Sequence, residues 1–416
     1  MALAFLAFVF MTLSGAGSRP GHIPVRRDAV VRVDPPAAPG SLGPDLTTVN
    51  GNVVLSWLEP FSAATGPRRG GFALRDSQLV QGRWSDPETV VSSNRFFANW
   101  ADFPSIAQAP SGWLVAHWAE MSGDGTYSYD VQMARSDGWG RPWRRIGTVH
   151  DDGTQTEHGF VSFLPEGSAL RAFWLDGRET KSEAARNSGH GTEGSMTLRT
   201  APVGEAPQRG ELLDGRVCDC CQTSAAITSD GPIVVYRDRS EKEIRDIAII
   251  RRTSGRWTLP RLVASDGWEI PGCPVNGPSV DAKGRLVAVT WFTGAQGRAR
   301  VQVAFSADSG ATFDPPQIID AANPLGRVGL VLDENGDALV SWVAGEGPKP
   351  SIRLRRVRRR GSMGAPIVIS ETSAARTSGF PRIKRTGDTL VVAWVDPLEP
   401  SRLRAGVLKA ASVGVE

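Results

Sequence analysis

The feature that most constrains the fold is a short apolar strand that ends in tryptophan and recurs along the chain. Runs such as VVLSW, LRAFW and ALVSW return at intervals of 51 to 63 residues in the 416-residue sequence. Each run follows a Gly, Asn or Asp turn, and further strand-like segments lie before and after it. The repeated position holds, in chain order, Trp57, Trp118, Trp174, Arg237, Trp291, Trp342 and Trp394. Four short antiparallel strands per unit of roughly 50 residues predict the blades of a β-propeller.

The number of units predicts an all-β propeller of seven four-stranded antiparallel blades, or of six if one repeat is misread. The predicted blades cover residues 44–93, 99–153, 156–216, 217–270, 271–324, 325–374 and 375–410. The last unit has only three strands, whereas AVVRVD at 29–34 is a spare strand near the N-terminus. We expect this strand to complete the last blade and close the ring, which removes an unpaired sheet edge. Because blades bury their faces only by stacking, residues 18–416 are predicted to form one domain.

The first 17 residues predict a signal peptide. About a dozen apolar positions lead to Ser14-Gly15-Ala16, a small-x-small pattern typical of cleavage sites, and the run is too short to span a bilayer. No Lys or Arg precedes the run, so an N-terminal strand or a wrongly assigned start is the alternative. We therefore expect export to the periplasm or out of the cell, with no transmembrane segment in the mature chain. The formal charge of +3 gives no indication of a nucleic-acid partner.

One turn in the fifth unit carries a family motif. Residues 306–313, SADSGATF, resemble the Asp-box, the S-x-D-x-G-x-T-W/F hairpin of sialidases and related propellers. In such a turn the Ser and Asp side chains bond backbone amides, the Gly takes a conformation closed to other residues, and the aromatic ring packs beneath. The residues concerned are Ser306, Asp308, Gly310, Thr312 and Phe313. Together with the repeat, this motif makes nearly the whole mature chain similar to the sialidase-like propellers with Asp-box (BNR) repeats.

The resemblance implies a glycan or another anionic small molecule as ligand at the mouth of the central channel, and glycoside hydrolysis as the reaction if the protein is an enzyme. The sialidase catalytic pattern is not recognisable, because the strand that matches the family's R-I-P motif reads GPDLT at 43–47. A hydrolase would therefore use an altered mechanism. The alternatives are a non-catalytic propeller whose cysteines bind metal or form disulfides, and a protein-interaction scaffold.

Polar side chains gather where the innermost strands of the predicted units begin, which is the channel mouth. Candidate catalytic residues for general acid–base chemistry are Asp102, Glu157, His158 and Asp219. Candidate ligand-binding residues are Trp100, Arg237, Asp238, Arg239, Asn276 and Arg327. A tryptophan offers a platform for a sugar, and a guanidinium group binds a carboxylate or sulfate in a bidentate manner. Arg237 replaces a packing tryptophan, so it needs a buried partner, for which Asp238 and Asp246 are the candidates, either as a structural ion pair or within the pocket.

The four cysteines allow three interpretations. Three of them lie in VCDCC at 217–221, and the fourth lies in GCPVNG at 272–277 in the next unit, so all four can meet. Disulfides between neighbouring inner strands are the first interpretation. A thiolate site for copper(I) or zinc(II), with His158 as a further ligand, is the second, and a redox-active pair is the third. The residues concerned are Cys218, Cys220, Cys221 and Cys273. If the segment is a strand, Cys220 and Cys221 point to opposite faces, and a shared ligand requires a bulge.

Overall fold

A computed structural model describes residues 30–61, 69–180 and 195–414 of the chain, so the predicted signal peptide lies outside the described residues. The described residues form β-strands and three single turns of 3₁₀-helix, Ala295–Gly297, Arg376–Ser378 and Ala410–Ser412. The predicted all-β class is therefore confirmed. Among these residues, no helix has the length and apolarity that crossing a membrane would require.

The strands follow the sequence repeat. The chain begins with β1 (Val31–Arg32), and the first unit contains β2 (Leu42–Val49), β3 (Asn52–Pro60), β4 (Arg69–Val80), β5 (Arg83–Trp84) and β6 (Glu88–Phe97). The second unit contains β7 (Ser105–Gln108), β8 (Leu114–Met121), β9 (Tyr129–Ser136) and β10 (Trp143–Thr148). The third contains β11 (His158–Glu166), β12 (Ala169–Asp176), β13 (Thr197–Pro202) and β14 (Glu211–Asp214).

The second half of the chain continues the pattern. The fourth unit contains β15 (Ser224–Thr228), β16 (Gly231–Arg237), β17 (Ile247–Thr253), β18 (Arg256–Trp257) and β19 (Arg261–Leu262). The fifth contains β20 (Ser279–Lys283), β21 (Leu286–Thr293), β22 (Arg300–Ser306) and β23 (Gln317–Asp320). The sixth contains β24 (Pro324–Leu332), β25 (Ala338–Ala344), β26 (Ser351–Val357) and β27 (Ile367–Glu371). The last contains β28 (Arg382–Thr386), β29 (Thr389–Asp396) and β30 (Arg402–Lys409).

Within the units, consecutive strands pair antiparallel, as the repeat predicts. The third, fifth and sixth units each form a four-stranded sheet in chain order. The N-terminal strand β1 pairs with β30, with Val31 opposite Val407, and gives the last sheet its fourth strand. Units one and two share a nine-stranded sheet, because the end of β6 pairs with β8 through Phe96 and Glu120. The described residues thus form six sheets, and the blade number and the closure of the ring stay predictions.

The repeated tryptophans form the core between sheets. Each of the six is at most 2% exposed, and Arg237 at the equivalent position is 1% exposed. Five of the indole N–H groups donate to a carboxylate: Trp57 to Glu59, Trp118 to Glu120, Trp174 to Asp176, Trp291 to Asp266 and Trp342 to Asp320. A buried indole needs such an acceptor, because an unpaired N–H in the core costs free energy.

The first strands of the units border one central cavity of about 540 Å³. Its lining residues come from β2, β7, β11, β15, β20, β24 and β28. Arg382 on β28 donates to Asp45 on β2 at 2.9 Å, which joins the last unit to the first. We predicted that the innermost strands surround a channel. In that arrangement, the segments that precede β11, β15 and β20 lie near one mouth of the channel.

Replacing Trp342 with alanine tests the role of the buried tryptophans. We expect the Trp342→Ala variant to lose about 3–5 kcal/mol of unfolding free energy, because the change leaves a cavity and removes the indole donor of Asp320 Oδ2. Denaturant unfolding followed by circular dichroism measures the loss. Phe61→Ala, at an aromatic residue that is 54% exposed, is the control and should cost less than about 0.5 kcal/mol. Equal losses in the two variants would contradict this assignment of the core.

Candidate functional site

The four cysteines converge at the start of the fourth unit. The Sγ atom of Cys218 lies 3.5 Å from that of Cys221 and 3.8 Å from that of Cys220. Cys218 and Cys221 are buried, Cys220 is half-buried, and Cys273 is exposed with its thiol against Cys220. All four are free thiols in the structure, and the first three are close enough to share one metal ion.

The CDCC segment is a turn and not a strand, which corrects the expectation that Cys220 and Cys221 diverge. Val217 makes an isolated bridge with Asp238, residues 219 and 220 turn, and the regular strand β15 begins only at Ser224. The alternation of side chains along a strand therefore does not apply here. The turn brings three thiols together from four consecutive residues.

An arginine and a backbone N–H group contact the buried thiols. The Arg245 guanidinium donates to the Cys218 Sγ at 3.2 Å, and the Asn276 backbone N–H donates to the Cys221 Sγ at 3.4 Å. Burial alone would raise the pKa of Cys218, but hydrogen bonds from the other two thiols and the charge of Arg245 hold that pKa well below its usual value. Cys220 has its pKa raised, chiefly because it donates to its thiol neighbours. These contacts favour the charged form of Cys218, and the pKa of Cys273 is also lowered, chiefly by its contact with Cys220.

Arg237 does not pair with Asp238 or Asp246, contrary to our expectation. Its guanidinium donates to the backbone carbonyls of Asn276, Arg245 and Phe292, and it lies 4.9 Å from the centre of the Trp268 ring. Asp246 instead accepts the N–H groups of Gly267 and Trp268. The arginine thus packs beneath the cysteine cluster with its hydrogen-bonding capacity taken up by carbonyl groups.

A charged network covers the cluster on its outer side. Arg239 donates to Asp219 at 3.2 Å and to Glu243 at 2.8 Å, and Glu243 also accepts from Arg245 at 2.8 Å. Asp238 accepts the N–H of Arg239, and burial raises its pKa to about 6. Three of the predicted site residues, Asp219, Asp238 and Arg239, therefore lie beside the cysteines. Glu243 and Arg245, which contact the same group, were not predicted, although they come only a few residues after Arg239 in the sequence.

Asp102 and Glu157 meet through a tyrosine that our choice of site residues missed. The Tyr129 hydroxyl lies 3.0 Å from the Glu157 carboxylate and 3.3 Å from that of Asp102, and all three residues are buried. Burial raises the pKa of Asp102 to about 7, although the N–H of Phe160 and the Tyr129 hydroxyl donate to it. The group binds the second unit to the third.

His158 lies in a separate cluster and not with the thiols. Its ring stacks on that of His150 at 3.7 Å, among the carboxylates of Asp130, Asp152 and Asp176. Burial alone would lower the pKa of His158, but its contact with Asp152 and the charges of the three carboxylates raise it. No spacing in the sequence indicated that these residues meet, because they come from four different segments.

Trp100 and Arg327 form a third group. The half-buried Trp100 ring stacks on Phe380, and the Arg327 guanidinium lies 5.2 Å from its centre. Arg327 donates to the Ser378 hydroxyl and to the carbonyls of residues 374, 375 and 379, and the structure gives it no carboxylate partner among the described residues. Burial lowers its pKa to about 10. Asn276 links this group to the cysteines, because its side-chain oxygen accepts the Arg327 N–H.

The Asp-box-like turn lies apart from these groups. Ser306 and Asp308 accept backbone N–H groups from Gly310 and Thr312, and Gly310 has a φ of +80°. Phe313 packs against the core between the fourth and fifth units. These contacts serve the hairpin between β22 and β23.

Known proteins resemble this chain in fold only. No protein-family model matches it, and no curated protein sequence is significantly similar. A protein of unknown function from Dyadobacter fermentans DSM 18053 is similar with a TM-score of 0.54 and 14% identity, over 92% of this chain and 98% of that chain. An ulvan lyase of a new polysaccharide lyase family, bound to -[GlcA(1-4)Rha3S]-, is similar with a TM-score of 0.53 and 10% identity, over 91% of this chain and 96% of that chain.

An endosialidase of phage phi92 has a TM-score of 0.49 and 10% identity, over 91% of this chain and 68% of that chain. Among the solved structures with TM-scores above 0.5, one is thus a polysaccharide lyase. They do not identify the Asp-box sialidase family specifically, so that part of the resemblance stays a prediction.

The raised pKa of Asp102 gives a prediction for the dependence of stability on pH. Folded Asp102 keeps its proton up to about pH 7, whereas the unfolded residue loses it near 3.8, so its contribution to stability falls as pH rises between these values. Relative to Asp102→Asn, the wild type should lose roughly 2–3 kcal/mol between pH 5 and pH 8. Denaturant unfolding at both pH values measures this difference. Asp137→Asn, at an exposed carboxylate, is the control, and a difference independent of pH would contradict the prediction.

Proposed function

We propose that the protein binds one soft metal ion, copper(I) or zinc(II), through Cys218, Cys220 and Cys221, with Cys273 as an exposed fourth ligand. The spacing of the sulfur atoms carries the proposal. Two thiolates on one tetrahedral zinc ion, with Zn–S distances of about 2.3 Å, lie about 3.8 Å apart. The separations of 3.5 and 3.8 Å between the sulfur atoms agree with that geometry.

The surroundings of the sulfur atoms suit thiolate ligands. A buried thiolate needs compensation, which Arg245 and the Asn276 N–H supply directly. Glu243 in turn holds Arg245 in place at 2.8 Å. Soft thiolate ligands select copper(I) and zinc(II) over harder cations. The exposed Cys273 gives the ion a route to solvent, so we expect exchange of the metal at this side of the site.

Metal analysis of the full chain, isolated without chelator, tests the proposal. We expect about one equivalent of copper or zinc, and a cobalt(II)-loaded sample with thiolate-to-cobalt charge-transfer absorption. Cys218→Ser and Cys221→Ser should weaken binding at least 100-fold in competition with a chelator, because each removes a buried ligand. Cys273→Ser, at the exposed position, should weaken it less, and Arg245→Met about 10- to 100-fold.

Three results would overturn the metal site. The first is four free thiols without metal binding, and the second is the absence of free thiols, which would make the cysteines disulfides. The third is an equal loss of affinity in all four variants, which would indicate general unfolding. Circular dichroism of each variant separates this last result from a loss of ligands.

A second candidate function is the binding of an acidic polysaccharide at the same mouth, in an exported protein. The observation that favours it is the Trp100–Arg327 pair, in which a half-buried ring adjoins a guanidinium without a described carboxylate partner. The exposed Arg376 lies 6.0 Å from the same ring and adds positive charge. Aromatic rings and guanidinium groups suit a sugar that carries carboxylate or sulfate groups. The fold likeness to an ulvan lyase agrees with a polysaccharide ligand.

Binding of acidic and neutral polysaccharides, measured by calorimetry at two salt concentrations, tests this second function. We expect binding of the acidic polymers only, weaker at high salt, and at least tenfold weaker in Trp100→Ala. Trp257→Ala is the matched control, because Trp257 also lies against two arginines, Arg171 and Arg252, but on the outer strand β18. Equal effects of the two variants would contradict a site at Trp100.

A further inference from the structure

Two chains of buried hydrogen bonds join the cysteine cluster to the segment that carries Trp100. One begins at Gln222, the residue that directly follows Cys221. The other begins at Asn276, whose backbone N–H donates to the Cys221 Sγ at 3.4 Å. Gln222 and Asn276 are both buried. The two proposed functions treat the thiols and the aromatic ring as separate sites, but these contacts connect them.

The first connection runs through the side chain of Gln222. Its Nε2 donates to the Ala101 carbonyl at 2.6 Å, and its Oε1 accepts the Gly277 N–H at 3.1 Å. Ala101 is buried and directly follows Trp100 in the chain, so this amide holds the backbone beside the ring. A displacement of residue 222 would therefore either break a buried hydrogen bond, which costs free energy, or move the Trp100 backbone with it.

The second connection runs through Asn276 and Arg327. The Asn276 Oδ1 accepts the Arg327 backbone N–H at 2.7 Å, and the Arg327 guanidinium lies 5.2 Å from the centre of the Trp100 ring. The fit around this amide is tight, because a Cβ atom on Gly326 would lie 2.3 Å from the Asn276 Oδ1. Asn276 thus contacts a candidate metal ligand with its backbone and a residue that faces the ring with its side chain.

The segment that carries Trp100 depends on contacts of this kind. Residues 98–104 lie between β6 and β7 and outside any strand, so no ladder of backbone hydrogen bonds fixes the ring. Contacts with other units hold it, among them the stacking of the ring on Phe380 and the bond from Gln222 to Ala101. Segments of this type have lower local stability than paired strands. The position of the ring is therefore sensitive to a change at the thiols.

Metal binding would change the contacts at which both connections begin. A cysteine binds a metal ion as a thiolate, so in the loaded site the Asn276 N–H would donate to a negatively charged sulfur. Hydrogen bonds of that kind are shorter and stronger than neutral ones. Ligation would also fix the turn that ends at Cys221, and with it the backbone of Gln222. A ligand of Trp100 would then meet a segment that is already ordered, which lowers the entropic cost of binding.

We propose that metal occupancy of the cysteine site strengthens the binding of an acidic polysaccharide at Trp100, with Gln222 and Asn276 as the positioning residues that connect the two sites. This inference rests on both proposed functions and adds a coupling between them. Thermodynamic linkage makes the coupling reciprocal, so the polysaccharide strengthens metal binding by the same factor. Couplings between two sites typically amount to about 5- to 150-fold in affinity.

Calorimetry on the full chain, with heparin as the acidic polysaccharide, tests the coupling. We expect the chain loaded with zinc(II) to bind heparin roughly tenfold more tightly than the metal-free chain. Gln222→Met keeps the length of the side chain but removes its amide. This variant should still bind one equivalent of zinc, but the ratio of the two heparin affinities should fall to about one, because the bond to Ala101 is lost.

Gln317→Met is the matched control. The Gln317 amide also joins two units, by donating to the carbonyls of residues 358 and 359, but it lies on the outer strand β23. The control should keep the full ratio of heparin affinities. An equal loss of the ratio in both variants would contradict a specific connection through Gln222.

A second measurement uses the wild-type chain, in case Gln222→Met does not fold. In protein labelled with fluorotryptophan, zinc should shift the fluorine NMR signal of Trp100 and leave that of Trp257 in place. Equal heparin affinities with and without bound zinc, or a Trp100 signal that does not respond to zinc, would overturn the coupling and leave the proposed functions standing. A chain that binds no zinc or no heparin would overturn the corresponding proposed function and the coupling with it.

Discussion

The structure depends on a buried indole ring at the second strand of nearly every unit, and on the carboxylate that accepts its N–H. The hydrogen bond satisfies an indole N–H that would otherwise be buried without a partner, at a cost in free energy. In the first three units the carboxylate lies two residues after the tryptophan, as in Trp174 and Asp176, whereas Trp342 uses Asp320 from another strand. The first strands of the same units line the central cavity.

The fourth unit is the exception, and the candidate metal site is found there. Arg237 fills the position of the indole, and its charge is accommodated by three backbone carbonyls and the face of Trp268. Those carbonyls belong to Asn276, Arg245 and Phe292, so the arginine holds together the segments that carry the cysteines and Arg245. At this position a guanidinium group bonded to three carbonyls therefore takes the place of a packed indole ring, beneath the cluster of thiols.

Sequence patterns predicted part of the candidate site. Three cysteines within four residues had to be close, and the order of the units made it reasonable for Cys273 to join them. The sequence pattern did not show that the CDCC segment is a turn. Four residues do not distinguish a turn from a strand when the neighbouring strands with which they would pair are unknown. Nor did it show that His158 lies with Asp130 and Asp152, since residues brought together by β9, β11 and the segment after β10 share no local signal.

The sequence by itself determined the all-β class, the repeat and the packing role of the tryptophans, because strand period and turn residues are local properties. It also placed the spare N-terminal strand beside the last unit, where β1 pairs with β30. Only the tertiary structure decided which charges face which thiols, and that Arg237 bonds carbonyls rather than Asp238. Such choices depend on distances between segments distant in sequence and on the desolvation of each group, which no local pattern records.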